Sequence, residues 1–271
     1  MKKHLSTIIL ILVFLVGLSL LLYPTVSDYW NSFHQSRAIA GYAQTVADLD
    51  EDDYETFLAD AEDYNKTMAK SGNRFELSKK EQKQYESLLN VAGDGMMGYI
   101  DIPSIDCTLP IYHGTSDQVL QSGVGHLEGT SLPVGGESSH CVISGHRGLP
   151  SAKLFSDLDD LREGDVFRIY VLDETLTYEV DKISIVLPEE FDDLQIQKGK
   201  DLCTLVTCTP YGINTHRLLV RGHRIETSEN SRVRADAMQI DPTIVAPILA
   251  VPMLLLLVIL IIVLPKGKKK L

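Results

Sequence analysis

The sequence predicts a mainly β protein: a closed β-barrel of about 130 residues, preceded by a helical extension and flanked by two membrane-spanning helices. Three observations carry that expectation. Two long apolar runs stand near the ends of a 271-residue chain, with lysines just outside each. Residues 24–95 are acidic and spaced for helices. From about Gly93 onward, short β-branched runs close repeatedly on Pro or Gly.

The first apolar run is Leu5–Tyr23, nineteen residues dominated by Leu, Ile, Val and Phe and preceded by Lys2 and Lys3. At about 1.5 Å per residue, a helix of that length reaches close to the thickness of a bilayer core. A cleaved signal peptide is the alternative, because a positive front end leads at once into the run. The run is longer than a usual signal core, and the nearest A-x-A pattern, Ala38-Ile39-Ala40, lies too far downstream. An uncleaved anchor over residues 1–23 is therefore preferred. The second run, Ile244–Leu264, has 21 residues and no charge. Pro247 and Pro252 in its first half are tolerable in a membrane helix. A basic tail, residues 265–271, carries Lys266, Lys268, Lys269 and Lys270. Lysines outside both runs put both termini on the cytoplasmic side of a cell membrane crossed twice. The body then faces outward.

Composition is that of a globular protein, with 44% hydrophobic and 23% charged residues. The net charge is −12, and removing the six tail lysines takes it to −18 on residues 24–241. So acidic a body argues against nucleic acid and against an anionic lipid surface, while tolerating lysine-bearing partners.

Within the extension, residues 24–95, Trp30, Phe33, Ala40 and Ala43 fall at loosely helical spacing. Asp48 to Asp63 holds nine acidic residues and no basic one, with Tyr54, Phe57, Leu58 and Ala61 spaced for one helical face. Lys79–Asn90 reads as a further helix, with Ser78 as N-cap and Glu81 completing a capping box. Lys70–Leu77 reads as a loop. The barrel segment, residues 96–226, reads as strands at Met97–Pro103, Asp106–Tyr112, Val142–Ser144, Asp165–Leu172, Thr175–Val186, Cys203–Thr207 and Arg217–Gly222. Gly123–Gly136 and Leu149–Gly164 read as longer connections, the latter with a short helix at Ala152–Leu161. Residues 227–243 read as a polar linker.

The stretch Thr204-Leu205-Val206-Thr207-Cys208-Thr209-Pro210-Tyr211-Gly212 holds the leading candidate for chemistry. It is a strand that ends in a turn, so Cys208 is held by a sheet yet reachable from outside. Side chains alternate along a strand, which puts Cys208 on a face with Val206 and Thr204 and turns Cys203 the other way. A thiolate nucleophile needs its pKa lowered from about 8.5, and a nearby cation supplies the opposite charge. Arg217, nine residues on, begins a return strand that brings a guanidinium back beside the thiol, where it can bind an oxyanion or a substrate carbonyl. Its ordinary role would be a surface arginine paired with a carboxylate. The base is less determined. His146, flanked by Gly145 and Gly148 at a strand end, is one candidate. His216 is the other by proximity, although it alternates with Arg217. Cys107, Cys141 and Cys203 read as small buried apolar residues. No CxxC pair or His/Cys cluster has metal-binding spacing, so neither metal nor cofactor is expected.

At these residues the sequence resembles the sortases, membrane-bound cysteine transpeptidases of Gram-positive bacteria. The resemblance rests on Thr207-Cys208-Thr209-Pro210, on Asn214-Thr215-His216-Arg217-Leu218-Leu219-Val220-Arg221-Gly222, and on Ser144-Gly145-His146-Arg147-Gly148. Gly125-His126-Leu127-Glu128-Gly129-Thr130-Ser131-Leu132-Pro133 and Gly98-Tyr99-Ile100-Asp101-Ile102-Pro103 extend it over residues 96–226. It implies a barrel of about eight strands. It also implies a catalytic trio of Cys208 as nucleophile, His146 as general acid and base, and Arg217 as substrate or oxyanion stabiliser. The membrane runs and the helical extension resemble class C, the pilin-polymerising branch. Its members cleave an LPXTG-like sorting signal between Thr and Gly and pass the acyl group to a pilin lysine amine. Class C members usually carry an Asp-Pro-aromatic lid motif. Residues 64–95 contain no Asp-Pro pair, and the nearest segment is Gly72-Asn73-Arg74-Phe75. Three alternatives compete: attachment of surface proteins to a peptidoglycan amine, a membrane-bound cysteine protease, and an outward-facing binding barrel in which Cys208 is structural.

Overall fold

A computed structural model describes residues 5–70 and 77–227. The linker beyond Thr227, the second apolar run and the basic tail lie outside the described residues, as does the segment Gly72–Phe75. The chain forms two compact units. Of the first, residues 1–23 and 238–271, the described part is an apolar helical stretch, the beginning of helix α1 (Leu5–Ala47). Leu10, Leu20 and Leu21 are each more than 70% exposed there, and α1 has the length and composition to cross a membrane. Pro24 stands inside α1, which continues as one helix past residue 23.

The second unit, residues 24–237, holds the barrel. Its strands are β1 (Met96–Ile102), β2 (Cys107–His113), β3 (Val124–His126), β4 (Ser139–Ser144), β5 (Val166–Val171), β6 (Glu174–Val186), β7 (Asp201–Thr209) and β8 (His216–Ile225). They close in the order β1-β2-β3-β4-β7-β8-β6-β5. Most pairs are antiparallel, while β2–β3 and β4–β7 are parallel. Inward-facing Ile143, Phe167, Tyr178, Leu205, Leu218 and Val220 fill the interior. Side chains alternate along β8: Leu218 and Val220 face the core, whereas Leu219 packs in a separate apolar cluster on the outer face.

Two connections differ from expectation. Gly123–Gly136, read as plain loop, contains β3, and a short helix α4 (Asp117–Ser122) precedes it. Three residues in a glycine-rich stretch are too few for alternation to register. The helix expected at Ala152–Leu161 is instead a bridge, Leu149 to Ala152, followed by a single 3-10 turn at Leu158–Asp160. Leu154 has a φ of 42°, and Phe155 donates its amide to the His146 carbonyl at 3.1 Å. That long-range bond, together with the left-handed residue, replaces a helical ladder.

The extension supplies α2 (Glu51–Lys70) and α3 (Lys79–Tyr85). Asp50 caps α2 by accepting the Asp53 amide at 2.8 Å, which starts the acidic helix later than Asp48. The Ser78–Glu81 capping box forms as expected. However, α3 stops at Tyr85 rather than Asn90: the Ser87 and Leu88 amides bond to the Gln84 and Tyr85 carbonyls three residues back, and the fully buried Leu89 then takes a left-handed φ of 55°. Specific polar contacts tie these helices to the barrel. The Tyr42 hydroxyl donates to the Met97 carbonyl and accepts from the Leu172 amide, both at 2.8 Å. Asn65 exchanges two bonds with the Leu132 backbone. The fully buried Tyr85 hydroxyl meets His126 Nδ1 at 2.9 Å and accepts the Gly114 amide at 2.9 Å. Such bonds satisfy groups that burial would otherwise strand, so the extension is built into the fold.

Candidate active site

Register sets the site. On the antiparallel β7–β8 pair, Cys208 lies directly opposite Arg217. On the parallel β4–β7 pair, Ser144 lies beside Val206. Two residues past the end of β4, His146 is thereby carried to the level of Cys208. The turn that carries it is fastened to β7 from both directions: the Gly145 amide donates to the Val206 carbonyl at 3.0 Å, and the Thr207 hydroxyl donates to the Gly145 carbonyl at 2.8 Å. Only glycine fits at 145, since a Cβ there would lie 2.6 Å from the Phe155 ring. Gly148, with a φ of 74°, closes the turn beneath the Tyr211 ring.

Cys208, His146 and Arg217 line one cavity of about 270 Å³, and all three side chains are half-buried. Its floor is apolar: Val142, Leu219 and Leu194 form a buried cluster, with Leu127, Val186 and Val206 packed against it. The β6–β7 connection roofs the far side. It is pinned by Asp193, which accepts from Lys182 at 2.5 Å and Ser184 at 2.8 Å. The Lys182 hydrogen bond holds the Asp193 carboxyl below its usual range. His140 adds a second pin, with Nδ1 meeting the Gln195 carbonyl at 3.0 Å and Nε2 meeting the Thr204 hydroxyl at 2.7 Å. Among the described residues Arg217 forms no surface ion pair of the kind its residue type suggests. Its Nη1 donates to the backbone carbonyls of His216 at 3.1 Å and Asn214 at 3.3 Å, which hold the guanidinium at the cavity rim.

His216, the alternative base, does not line the cavity; its Nδ1 meets the neighbouring Thr215 hydroxyl at 2.9 Å. The other three cysteines are buried free thiols. Burial pushes the Cys107 thiol up to about 12 and the Cys203 thiol far above its ordinary value. Sequence reasoning did not single out the apolar floor or the Phe155 buttress. Phe155 has no local signal, because its importance comes from a glycine ten positions away. Among the described residues no cluster of His, Cys, Asp and Glu is arranged to hold a metal ion. Among the described residues, none that lines the cavity precedes Thr115.

A half-exposed thiol, an imidazole and a fixed guanidinium at one end of an apolar groove can attack an acyl carbon, move a proton and hold an oxyanion. Comparisons with known proteins agree with that chemistry. Residues 100–225 match a family model described as a sortase domain. The crystal structure of sortase C1 from Streptococcus agalactiae is 54% identical over 71% of this chain and all of that chain, with a TM-score of 0.69. A sortase C structure from Streptococcus pneumoniae, described in connection with catalysis and pilin substrate specificity, is 44% identical. It covers 70% of this chain and 97% of that chain with a TM-score of 0.62. Among curated proteins, sortase A of Bacillus anthracis is 27% identical over 83% of this chain and 97% of its own length.

Proposed function

We propose that this chain, which belongs to the sortase family of cysteine transpeptidases, is the class C member that joins pilin subunits through lysine isopeptide bonds. The observation that carries the reading is the shared cavity of Cys208, His146 and Arg217 over an apolar floor suited to the Leu-Pro of an LPXTG-like signal. The Cys208 thiolate attacks the Thr carbonyl carbon, forming a C–S bond while the guanidinium of Arg217 holds the oxyanion. As the C–N bond to Gly breaks, His146 protonates the departing amine. A pilin lysine amine, losing its proton to His146, then attacks the thioester. The C–S bond breaks, the thiolate is regenerated and an isopeptide bond remains. Half-buried placement of the thiol fits this sequence, since the acyl-enzyme must admit a second polypeptide.

The class C assignment draws on the 54% identity to sortase C1, well above the 27% to a sortase A. It draws also on an extension bonded into the barrel by Tyr42, Asn65 and Tyr85. Residues 1–23 and 244–264 are the membrane anchors in this reading, with the barrel outside and both termini inside the cell.

The test uses the full chain in detergent with an LPXTG-type peptide, offered either a lysine-bearing pilin segment or a peptidoglycan-type amine. The reading expects amine-dependent product with the lysine acceptor. Transfer only to the peptidoglycan amine would assign the wall-anchoring role instead, and release of free acid regardless of amine would assign a protease.

A further inference from the structure

The residue next to His146 is also built into the site, through contacts that the chemistry above does not use. Arg147 points away from the cavity and is nearly enclosed, with its side chain 10% exposed. Its Nη2 is ion-paired with Asp159, in the middle of the 3-10 turn that follows Phe155. Its Nη1 reaches the hydroxyl of Thr209, the residue directly after Cys208, at 3.5 Å. Its guanidinium lies 5.7 Å from the centre of the Tyr211 ring, in the loop between β7 and β8. One side chain therefore touches the segment that buttresses Gly145, the strand end that carries the thiol, and the loop that leads to Arg217. The third nitrogen is informative: Arg147 Nε is buried and has no hydrogen-bond partner among the described residues. Leaving a buried donor orphaned costs stability. The arrangement is therefore kept for where it puts things rather than for the bonds it makes.

We propose that Arg147 is a positioning residue: a three-way clamp that fixes the His146 turn against the strand end of Cys208. The proposal rests on the catalytic roles given above to Cys208 and His146. The lever arm is short. His146 is joined to Arg147 by one peptide bond, and Cys208 to Thr209 by another, so the clamp sets the imidazole–sulfur relationship directly. A lysine can keep the ion pair to Asp159, but a single ammonium cannot also meet Thr209 and lie against the Tyr211 ring, as a planar fork does. Proton transfer depends steeply on placement, and an error near 1 Å costs about 100-fold. Substrate binding should be spared, because the floor and roof of the cavity involve none of these contacts.

The experiment compares the full-length chain in detergent with Arg147→Ala, Arg147→Lys and His146→Ala, using an LPXTG-type peptide and a lysine-bearing acceptor. Rates are expressed per Cys208 that a methanethiosulfonate reagent can label, so that unfolded protein is not counted. Arg147→Ala is expected to lower kcat about 100-fold with KM changed less than about twofold. Arg147→Lys should recover part of that loss, to about tenfold below the parent. Unchanged kcat per labelled site in Arg147→Ala, with only the labelled fraction reduced, would mean a purely structural arginine and would overturn the proposal. Full recovery by lysine would overturn the clamp in favour of simple charge. If His146→Ala also turned over normally, the failure would lie in the catalytic assignment, and the clamp would fall with it.

Discussion

Strand β7 carries two cysteines five positions apart that live in opposite surroundings. Cys203 faces the barrel interior, has no exposed surface and sits beside Cys141 across the parallel pair. Cys208 faces outward at the strand end, half-exposed, opposite Arg217 and at the level of His146. The backbone is the same and so is the residue type; parity and register make the difference. One face of the sheet serves as core, and the other, at its end before the loop, carries the proposed site. A barrel can host such chemistry because closing the sheet leaves its outer face to be shaped by loops.

The widest test of that contrast is to delete each sulfur. Cys208→Ala should lower transpeptidation by on the order of 10⁴-fold or more. Cys203→Ala should keep kcat while lowering stability by about 1 kcal/mol, seen as a small drop in Tm. Comparable losses of kcat would erase the distinction. Next comes Arg217→Ala, which removes the cation but not the nucleophile. Acyl-enzyme formation should slow by about 10²–10³-fold and still be measurable by single-turnover assay. Complete loss equal to that of Cys208→Ala would contradict the division of roles.

Gly145→Ala probes the joint between the two regions, since the added methyl must displace the Phe155 ring. The expected cost is about 1–3 kcal/mol in denaturant unfolding, together with a fall in kcat as the His146 turn shifts. A variant of unchanged stability and rate would show that the buttress is not needed. The smallest effect is alkaline. The buried Cys107 thiol, pushed up to about 12, stays protonated in the folded state while the same thiol in the unfolded chain ionises near 9.0. A group with a raised folded pKa contributes stability that is whole below the unfolded pKa and is lost as pH climbs toward the folded one. Melting temperatures should therefore fall from about pH 9 upward, and the burial-raised Tyr42, Tyr85 and Tyr178 should deepen the fall above about pH 10. A flat profile between pH 8 and 11 would contradict burial of these groups.

Local pattern carried much of the barrel. Seven of the eight strands were legible because alternation and Pro or Gly punctuation are properties of a few adjacent residues. The parity that separates Cys203 from Cys208, and the return that sets Arg217 opposite the thiol, follow from the same period of two. What local pattern could not supply is long-range register. The choice between His146 and His216 depends on the parallel pairing of β4 with β7, whose partners stand about sixty residues apart; the flanking glycines pointed to His146, spacing left the choice open, and the motif resemblance decided for His146. Strand β3 was too short to register, and α3 was overextended because Leu89 carries no visible sign of its left-handed turn. The Phe155 buttress and the Arg147 clamp share that cause, since both depend on segments brought together by the closed barrel.

The most direct measurement is intact-mass spectrometry of the full chain mixed with an LPXTG-type peptide, followed by peptide mapping of any thioester. The account predicts one acyl adduct, confined to the fragment containing Cys208 and discharged on adding a lysine-bearing acceptor. An adduct on a fragment carrying Cys107, Cys141 or Cys203, or a Cys208 adduct that water resolves and lysine does not, would contradict it.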